Sequence, residues 1–164
     1  MPIPEAALEQ LRYTNLGRLL EEVHGGFDQT AIAYLRDAGY PWLTAAHVHV
    51  MRTMRVEGAS ISGMAAQARI SKQAMSKLVM VFENKGLLQL TDDPDDGRFK
   101  IAFVTDTGVT LLKTGIAALQ KAEDELAGLV GRGELENLRR TLRLIRDVRV
   151  SKTLAGNAAQ RRRK

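Results

Sequence analysis

The sequence predicts a mostly α-helical protein that carries one small β-hairpin. Over most of the chain apolar residues recur every three or four positions, which is the spacing of helices with one buried face. The alternation that is typical of strands is confined to residues 87–105. The 45% apolar content of the 164-residue chain is sufficient for a core, so we expect one folded domain over 1–150.

The first predicted helix carries an apolar stripe that begins at Leu8 and continues to Ala38, where Gly39 ends it. Gly25 and Gly26 interrupt the stripe. Because each glycine costs about 1 kcal/mol in a helix interior, we expect either a kink or unusually close packing at this pair.

The central segment predicts two short helices and a turn. Thr44 is a suitable N-cap for a helix that we expect to stop at Gly58. Ser62 is expected to cap the next helix, which ends at Ala68, and residues 69–70 form the turn that follows.

A third helix is predicted between the cap Ser71 and the terminator Gly86. Helical spacing gives it two faces. The inner face consists of Met75, Leu78, Val79 and Phe82, and the outer face of Lys72, Gln73, Ser76, Lys77 and Met80.

The hairpin is predicted to have strands at residues 87–91 and 99–105, with Phe99, Ile101 and Phe103 on one side and an acidic tip at 92–98. A long helix is expected over 109–130, followed by a break at Gly131 and Gly133. The last helix repeats leucine and isoleucine at coiled-coil spacing, and the small, polar and basic residues 151–164 predict a disordered tail.

This order of helix, turn, helix and hairpin indicates a winged helix-turn-helix, in which the second helix enters the major groove of DNA. Gln73 can pair with adenine, Ser76 can bind a base or a phosphate, and Lys72 and Lys77 can neutralise phosphates or bind guanine. Ser71 places a helix N-terminus there, which favours a phosphate. A solvated helix face explains the same pattern equally well.

The hairpin tip favours the DNA interpretation. A turn that ends in Asp96, Gly97 and Arg98 would point one cation away from the sheet and toward the minor groove, with Lys100 near the DNA backbone. Asp96 is expected to orient Arg98, because a carboxylate would repel phosphate. An ordinary charged hairpin turn is the alternative.

Three landmarks together resemble the MarR (multiple antibiotic resistance regulator) family of winged-helix repressors. They are residues 71–88, the sequence Asp-Pro-Asp-Asp-Gly-Arg at 93–98, and Val-Thr-Asp-Thr-Gly at 104–108. The resemblance implies a homodimer that binds palindromic operators, with a DNA-binding lobe at 44–108 and dimerisation helices at 5–38 and 109–150. It implies recognition-helix roles for Gln73, Ala74, Ser76 and Lys77, and a wing role for Arg98 held by Asp96.

Three residues depart from the family pattern. Gly97 stands where many members carry Arg, and Leu90 stands where a basic residue often follows the recognition helix. Arg69 occupies a turn position that is often given to Gly. The first two predict weaker contacts from the wing than in relatives.

A dimer is also expected because one such module covers too few base pairs for useful specificity. A two-fold dimer reads half-sites about 34–36 Å apart. Intramolecular packing is the alternative for each apolar stripe taken alone. The predicted interface residues are Leu8, Leu11, Leu16, Leu19, Leu135, Leu138, Leu142 and Ile145.

The resemblance further implies a cleft for a small, possibly aromatic effector that releases the DNA. A role as ordinary core residues is the alternative for all of its candidates. These are Tyr13, His24, Phe27, Trp42, His47 and Met51.

Other functions find little support in the sequence. There is no cysteine, His47 and His49 point to different helix faces, and no nucleophile, base and orienting group fall together, so we expect no metal, no cofactor and no enzyme activity. Four of the five net positive charges come from residues 161–164, so bulk charge is weak evidence for nucleic acid. No apolar run reaches the ~18 residues of a membrane helix, and we expect a soluble cytoplasmic protein.

We therefore expect a homodimeric transcriptional regulator, acting as a repressor on a palindromic operator and released by a small ligand. A winged-helix module that binds a protein instead of specific DNA is the alternative. Its outer helix face would then meet an acidic partner.

Overall fold

The computed structural model of the chain describes residues 4–93, 96 and 99–161. This part of the chain contains seven helices and three short strands in one antiparallel sheet. The elements are α1 (Glu5–Thr14), α2 (Leu16–Asp37), α3 (Ala45–Thr53), β1 (Ala59–Ser60), α4 (Ile61–Ala68), α5 (Lys72–Asn84), β2 (Leu88–Asp92), β3 (Lys100–Val104), α6 (Asp106–Val130) and α7 (Arg132–Arg161).

The N-terminal helical stripe breaks at Asn15, and not at the glycine pair. The Asn15 side chain donates to the carbonyl of Arg12 at 2.6 Å and accepts from the backbone N–H of Arg18 at 3.0 Å, so it caps both α1 and α2. α2 continues through Gly25 and Gly26, and nothing in the described chain lies within 4 Å of a Cβ added at either. The prediction of a kink, or of close packing against another part of the same chain, at this glycine pair is therefore wrong.

The segment between α3 and α4 corrects two predicted boundaries. Thr44 precedes α3 as predicted, but α3 ends at Thr53, five residues before Gly58. β1 then pairs with β3, so Ser60 leaves a strand and caps α4 by accepting from the N–H of Gly63 at 3.1 Å. Ser60 therefore occupies the cap position that was predicted for Ser62.

The sheet has the strand order β1-β3-β2, so the predicted hairpin gains a third strand. The register places Leu88 opposite Val104 and Leu90 opposite Ala102, and these four residues pack on the core. Because strand side chains alternate, Ile101 and Phe103 of β3 lie on the other side, as predicted. Leu90 thus contributes to packing, which explains an apolar residue at that position.

The junction of the sheet with α6 explains the Val-Thr-Asp-Thr-Gly landmark. The Thr105 hydroxyl donates to the carbonyl of Gly86 at 2.6 Å and accepts from the N–H of Gly108 at 3.1 Å. A Cβ at Gly108 would lie 2.1 Å from the carbonyl oxygen of Leu87. α6 therefore begins at Asp106, three residues before the predicted start at Val109.

The C-terminal break occurs at Gly131, whose φ of +91° suits glycine, and α7 includes Gly133. The sequence predicts disorder from Ser151 onward, whereas α7 continues to Arg161. Extending an existing helix avoids the nucleation cost of starting one. The tail residues 162–164 lie outside the described residues.

The chain forms two compact units, Met1–Ala122 and Glu123–Lys164. The core of the first unit gathers buried side chains from α2 to α6, including those of α5 and of the sheet. Its fully buried large residues are Phe82, Leu43, Met64, Met75, Leu111, Val50 and Val79. In the second unit Arg139 pairs with Glu123 at 2.7 Å and with Glu136, so part of its positive charge is neutralised locally.

Candidate nucleic-acid interface

Helix α5 has one buried and one exposed face. Met75, Val79 and Phe82 are fully buried, and Leu78 is half-buried, which confirms the predicted inner positions. On the opposite face lie the exposed residues Lys72, Gln73, Lys77 and Met80 and the half-buried residues Ala74 and Ser76. The helix is anchored by the core while its polar face is free to meet a ligand.

Two hydroxyls on this face already make local hydrogen bonds. Ser71 accepts from the N–H of Ala74 at 3.1 Å as the helix cap. Ser76 donates to the carbonyl of Lys72 at 2.8 Å, which leaves only its lone pairs for a ligand. With its hydroxyl proton used in this way, Ser76 can accept a hydrogen bond from a ligand but has no proton left to donate. The side-chain amide of Gln73 can still both donate and accept a hydrogen bond.

The turn that leads into α5 contains a left-handed residue. Arg69 caps the C-terminus of α4 with φ of 57° and ψ of 39°, and it is the sole non-glycine residue with positive φ in the described chain. Its N–H donates to the carbonyl of Ala66 at 3.3 Å. The geometry is the one for which glycine is favoured, so this departure from the family pattern has a conformational cost.

The wing stands beside α5. The N–H of Phe99 donates to the carbonyl of Asp96 at 2.9 Å, and the N–H of Asp93 donates to the carbonyl of Phe99 at 3.0 Å. Lys100 pairs with Asp92 across the strands at 2.6 Å, so its charge is partly compensated. Gly97 and Arg98 lie outside the described residues, and their roles at the tip stay predictions.

A cleft of about 360 Å³ separates the start of α4, the start of α5 and the wing. It is polar at its rim and has an aromatic side chain in its wall. Its lining residues are Ser60, Ile61, Ser62, Lys72, Ser76, Asp93, Phe99 and Lys100. Three of the predicted DNA contacts, Lys72, Ser76 and Lys100, therefore meet around one depression.

A second, mainly apolar cavity of about 230 Å³ lies among α2, α3 and α6. At its rim Arg52 donates to Asp28 at 2.7 Å and lies 3.1 Å from Nε2 of His24. The walls are mainly aliphatic. The lining residues are Asp28, Ala31, Ile32, Leu35, Val48, Met51, Arg52, Leu112, Gly115, Ile116 and Leu119.

The six residues proposed from the sequence for an effector pocket are not brought together. Met51 lines the cavity, and His24 reaches its rim through Arg52. Tyr13 is exposed, with the guanidinium of Arg18 5.2 Å from its ring centroid, and Phe27 is half-buried on α2.

Trp42 and His47 form a separate aromatic cluster with Phe82 of α5. The ring centroids of Trp42 and His47 are 5.1 Å apart, and those of Trp42 and Phe82 are 5.3 Å apart. His47 Nδ1 accepts from the N–H of Thr44 at 3.1 Å. Burial, and then the nearby Lys85, lower the pKa of His47 below its ordinary value.

The sequence interpretation missed the α6 side of the cavity. Leu112, Ile116 and Leu119 follow helical spacing, and Gly115 between them is buried, with a hypothetical Cβ 3.0 Å from the methyl of Met51. A glycine inside an apolar helical stripe was the available signal, because it costs helix stability unless a neighbour needs the space.

Large apolar side chains remain exposed along two stretches of the chain. α1 and α2 present Leu8, Leu11, Leu16, Leu19, Leu20 and Val23, and α7 presents Leu138, Leu142, Leu144, Ile145 and Val148, while Leu135 is half-buried. Contiguous apolar surface of this kind marks interaction sites.

The described residues show neither a metal cluster nor a membrane helix. No group of three His, Cys, Asp or Glu side chains in them is arranged to hold a metal ion. None of their helices combines the length and the apolar character that crossing a membrane requires.

The MarR family model matches residues 43–98, which span α3, α4, α5, β2 and the wing tip. Over this stretch the chain is similar to the MarR family. The matched stretch contains the two-faced helix α5 and strands β1 and β2, and β3 follows it directly in the chain. No curated protein matches the chain significantly by sequence.

Solved structures extend the similarity beyond residues 43–98. A MarR-family transcriptional regulator from Rhodococcus sp. RHA1 is 25% identical, with a TM-score of 0.65 over 79% of this chain and 92% of that one. A mutant E. coli MarR complexed with operator DNA is 20% identical, with a TM-score of 0.66 over 82% and 96%. Bordetella bronchiseptica BpsR, whose DNA binding is regulated by 6-hydroxynicotinic acid, is 19% identical, with a TM-score of 0.61 over 90% and 99%. At 19–20% identity, the likeness to the Bordetella and E. coli proteins shows a shared fold.

Proposed function

We propose that this chain is a homodimeric transcriptional repressor that binds a palindromic operator through α5 and the wing. The observation that carries the proposal is the division of α5 into a fully buried apolar face and an exposed polar face. The exposed face holds Lys72, Gln73 and Lys77 within the first two turns. This is the part of a recognition helix that reaches base edges.

The chemistry of that face suits a DNA groove. Gln73 can form two hydrogen bonds with adenine, Lys77 can neutralise a phosphate, and Ser76 can accept from the amino group of a base. The N-terminus of α5 adds a partial positive charge beside them. The E. coli relative in complex with operator DNA supports placing these contacts on DNA.

A second copy of the chain would cover the exposed apolar faces of α1, α2 and α7. These faces are large, and leaving each Å² of apolar surface in water costs roughly 25 cal/mol. A two-fold dimer would present two recognition helices to half-sites about 34–36 Å apart, which matches a palindrome.

Binding to duplex DNA as a function of salt tests the proposal. Phosphate contacts predict that affinity for any duplex falls as salt rises, and that a palindromic subset binds more tightly. Lys77→Ala should reduce the salt slope by about one ion, and Gln73→Ala should cost about 1–3 kcal/mol at one base pair. Lys113→Gln removes an exposed charge from α6 and serves as the control.

Two outcomes would contradict the proposal. Absence of duplex binding at low salt would favour the alternative, in which the same α5 face binds an acidic protein partner. An equal loss over all sequences for Gln73→Ala would exclude direct reading of a base. The sign of regulation is tested separately, because a repressor lowers transcription from a reporter placed behind the selected operator.

The effector would occupy the apolar cavity among α2, α3 and α6. A cavity of about 150 Å³ lined by aliphatic and aromatic side chains holds benzene, so about 230 Å³ accommodates one substituted ring. Arg52 at the rim suits an acidic substituent, as in the 6-hydroxynicotinic acid that regulates the Bordetella relative.

Titration of the protein–operator complex with 6-hydroxynicotinic acid and benzoate tests this effector class. Release of DNA is expected for the wild type and a weaker response for Arg52→Gln, which keeps the rim polar without a cation. Release that is unchanged in Arg52→Gln would show that the acid binds elsewhere.

A further inference from the structure

Lys72 makes a specific contact in the free protein. It is the first residue of α5 and lies on the exposed face, and its Nζ is 4.6 Å from the centroid of the Phe99 ring. An ammonium group at this distance from an aromatic face is attracted by the negative face of the ring. The sequence treated Lys72 as a DNA contact, but its charge is directed to the wing.

Phe99 is the residue that closes the wing tip. Both its N–H and its carbonyl are used, in hydrogen bonds with Asp96 and Asp93 of 2.9 and 3.0 Å. Its side chain is 40% exposed and does not belong to the core cluster. The core therefore does not fix its position, and the Lys72 ammonium contacts its ring.

The ion pair of Lys100 with Asp92 lies within the wing. Lys100 and Asp92 face each other across β2 and β3 and hold the two strands together. That pair does not join the wing to the recognition helix. The base of the sheet is joined to α5 by the core, where Leu88 and Ala102 pack. The contact between Lys72 and Phe99 adds a link at the root of the tip.

We propose that Lys72 is a positioning residue, which sets the wing against the recognition helix by holding the ring of Phe99. The consequence for DNA rests on the proposed function. A wing must stand at a fixed distance from α5 if the tip and the helix are to enter neighbouring grooves together. The contact itself is a property of the protein without DNA.

Amide hydrogen exchange in the free protein tests the contact. In Lys72→Gln and Phe99→Leu, the Asp93 and Phe99 amides should exchange about two- to fivefold faster, because an exposed cation–π contact is lost. Lys72→Arg and Phe99→Trp retain a cation and an aromatic face, so they should keep the wild-type rates.

Two controls make this measurement decisive. The core amides of Val79 and Phe82 should be unchanged in every variant, which shows that the lobe is folded. Lys113→Gln removes a charge from α6 and should leave the wing amides unchanged. Wild-type exchange at Asp93 and Phe99 in Lys72→Gln would overturn the proposal.

A double-mutant cycle of DNA binding tests the consequence. If Lys72 acts through Phe99, the variant that combines Lys72→Gln with Phe99→Leu should bind no more weakly than the weaker of the two single variants. Independent, multiplying losses would make Lys72 a direct phosphate contact and overturn the positioning role. A wild type that binds no duplex overturns the proposed function instead, and the exchange rates still decide whether Lys72 holds the wing.

Discussion

The lobe around α5 differs from α1, α2 and α7, which we call the outer helices, in how it uses apolar side chains. Met75, Val79 and Phe82 in the lobe are 0% exposed. By contrast, Leu16 in α2 is 66% exposed and Leu144 in α7 is 65% exposed. The lobe completes its packing within one chain, whereas the outer helices carry apolar residues that the chain itself does not cover.

This difference separates two sources of stability. The lobe owes its structure to caps, a close junction and its own core, so we expect it to fold independently of other molecules. In the proposed dimer the outer helices would gain stability from the second copy, so their contribution to the free energy of unfolding should depend on protein concentration. Changes that are directed at one region should leave the other intact.

The largest effect is expected from Leu138→Asp on α7. A carboxylate on the exposed stripe would be buried by a second copy, so dimers should be lost. Affinity for a two-half-site operator should then fall by about 10²–10⁴-fold, because the two lobes no longer bind together. Light scattering and operator titration measure both quantities.

Asn137→Asp provides the matched control, since it adds the same charge beside the stripe on the exposed surface of α7. It should leave the dimer intact. A dimer that survives Leu138→Asp would remove this stripe from the interface and weaken the distinction between the two regions.

Gly108→Ala is the corresponding change in the lobe. The new methyl group would lie 2.1 Å from the carbonyl oxygen of Leu87, so the junction must shift, and the free energy of unfolding should fall by about 3 kcal/mol. Gly133→Ala in α7 meets nothing within 4 Å and should instead stabilise the protein by about 0.5–1 kcal/mol. Denaturant titration of both variants measures these changes in the free energy of unfolding. Equal changes in the two variants would contradict the close packing of Gly108 against Leu87.

Arg69→Gly should stabilise the lobe. Arg69 adopts a left-handed conformation at the C-cap of α4, and glycine adopts it without a Cβ penalty. We expect the free energy of unfolding to rise by about 0.5–1 kcal/mol after the loss of chain entropy is included. A less stable variant in urea titration would mean that the Arg69 side chain makes an offsetting contribution.

The smallest effect concerns pH and His47. Burial lowers the pKa of His47 below its ordinary value of 6.5, so the folded state holds the neutral ring, while the unfolded state binds a proton. The contribution of His47 to the free energy of unfolding is therefore fully present above pH 6.5. It should decline as the pH falls below 6.5 toward the folded-state pKa.

His47→Gln removes the titration and keeps an acceptor for the N–H of Thr44 at the helix cap. The free energy of unfolding of the wild type, relative to that of the variant, should therefore fall as the pH is lowered from 7.5 to 5. His24, His49 and the carboxylates are present in both proteins and cancel. A difference that is constant over this range would contradict the assigned protonation.

The sequence predicted the helical fold and the two faces of α5 because each depends on local spacing and capping. It failed at Asn15 because a single side chain that caps two helices overrides a pair of glycines. It failed at Ser60 because β1 has two residues, too few for an alternation pattern, and exists through its pairing with β3.

For the same reason, the sequence predicted the parts of the site that depend on local spacing and missed the parts that depend on contacts between distant residues. The outer residues of α5 follow from helical period alone, but the contact between Lys72 and Phe99 joins residues 27 positions apart. Of the six effector candidates Met51 lines the cavity, whose shape depends on how α6 packs against α2 and α3. That packing places the aliphatic residues Leu112 and Leu119 in its wall.

The aromatic cluster at Trp42 gives the protein a built-in optical probe. The sequence contains one tryptophan, and its ring contacts His47 and Phe82, with the ammonium group of Lys85 4.8 Å from its centroid. Intrinsic fluorescence excited at the indole therefore reports on the lobe alone, while circular dichroism sums all helices. Melting curves from the two signals should separate whenever the outer helices and the lobe lose structure at different temperatures.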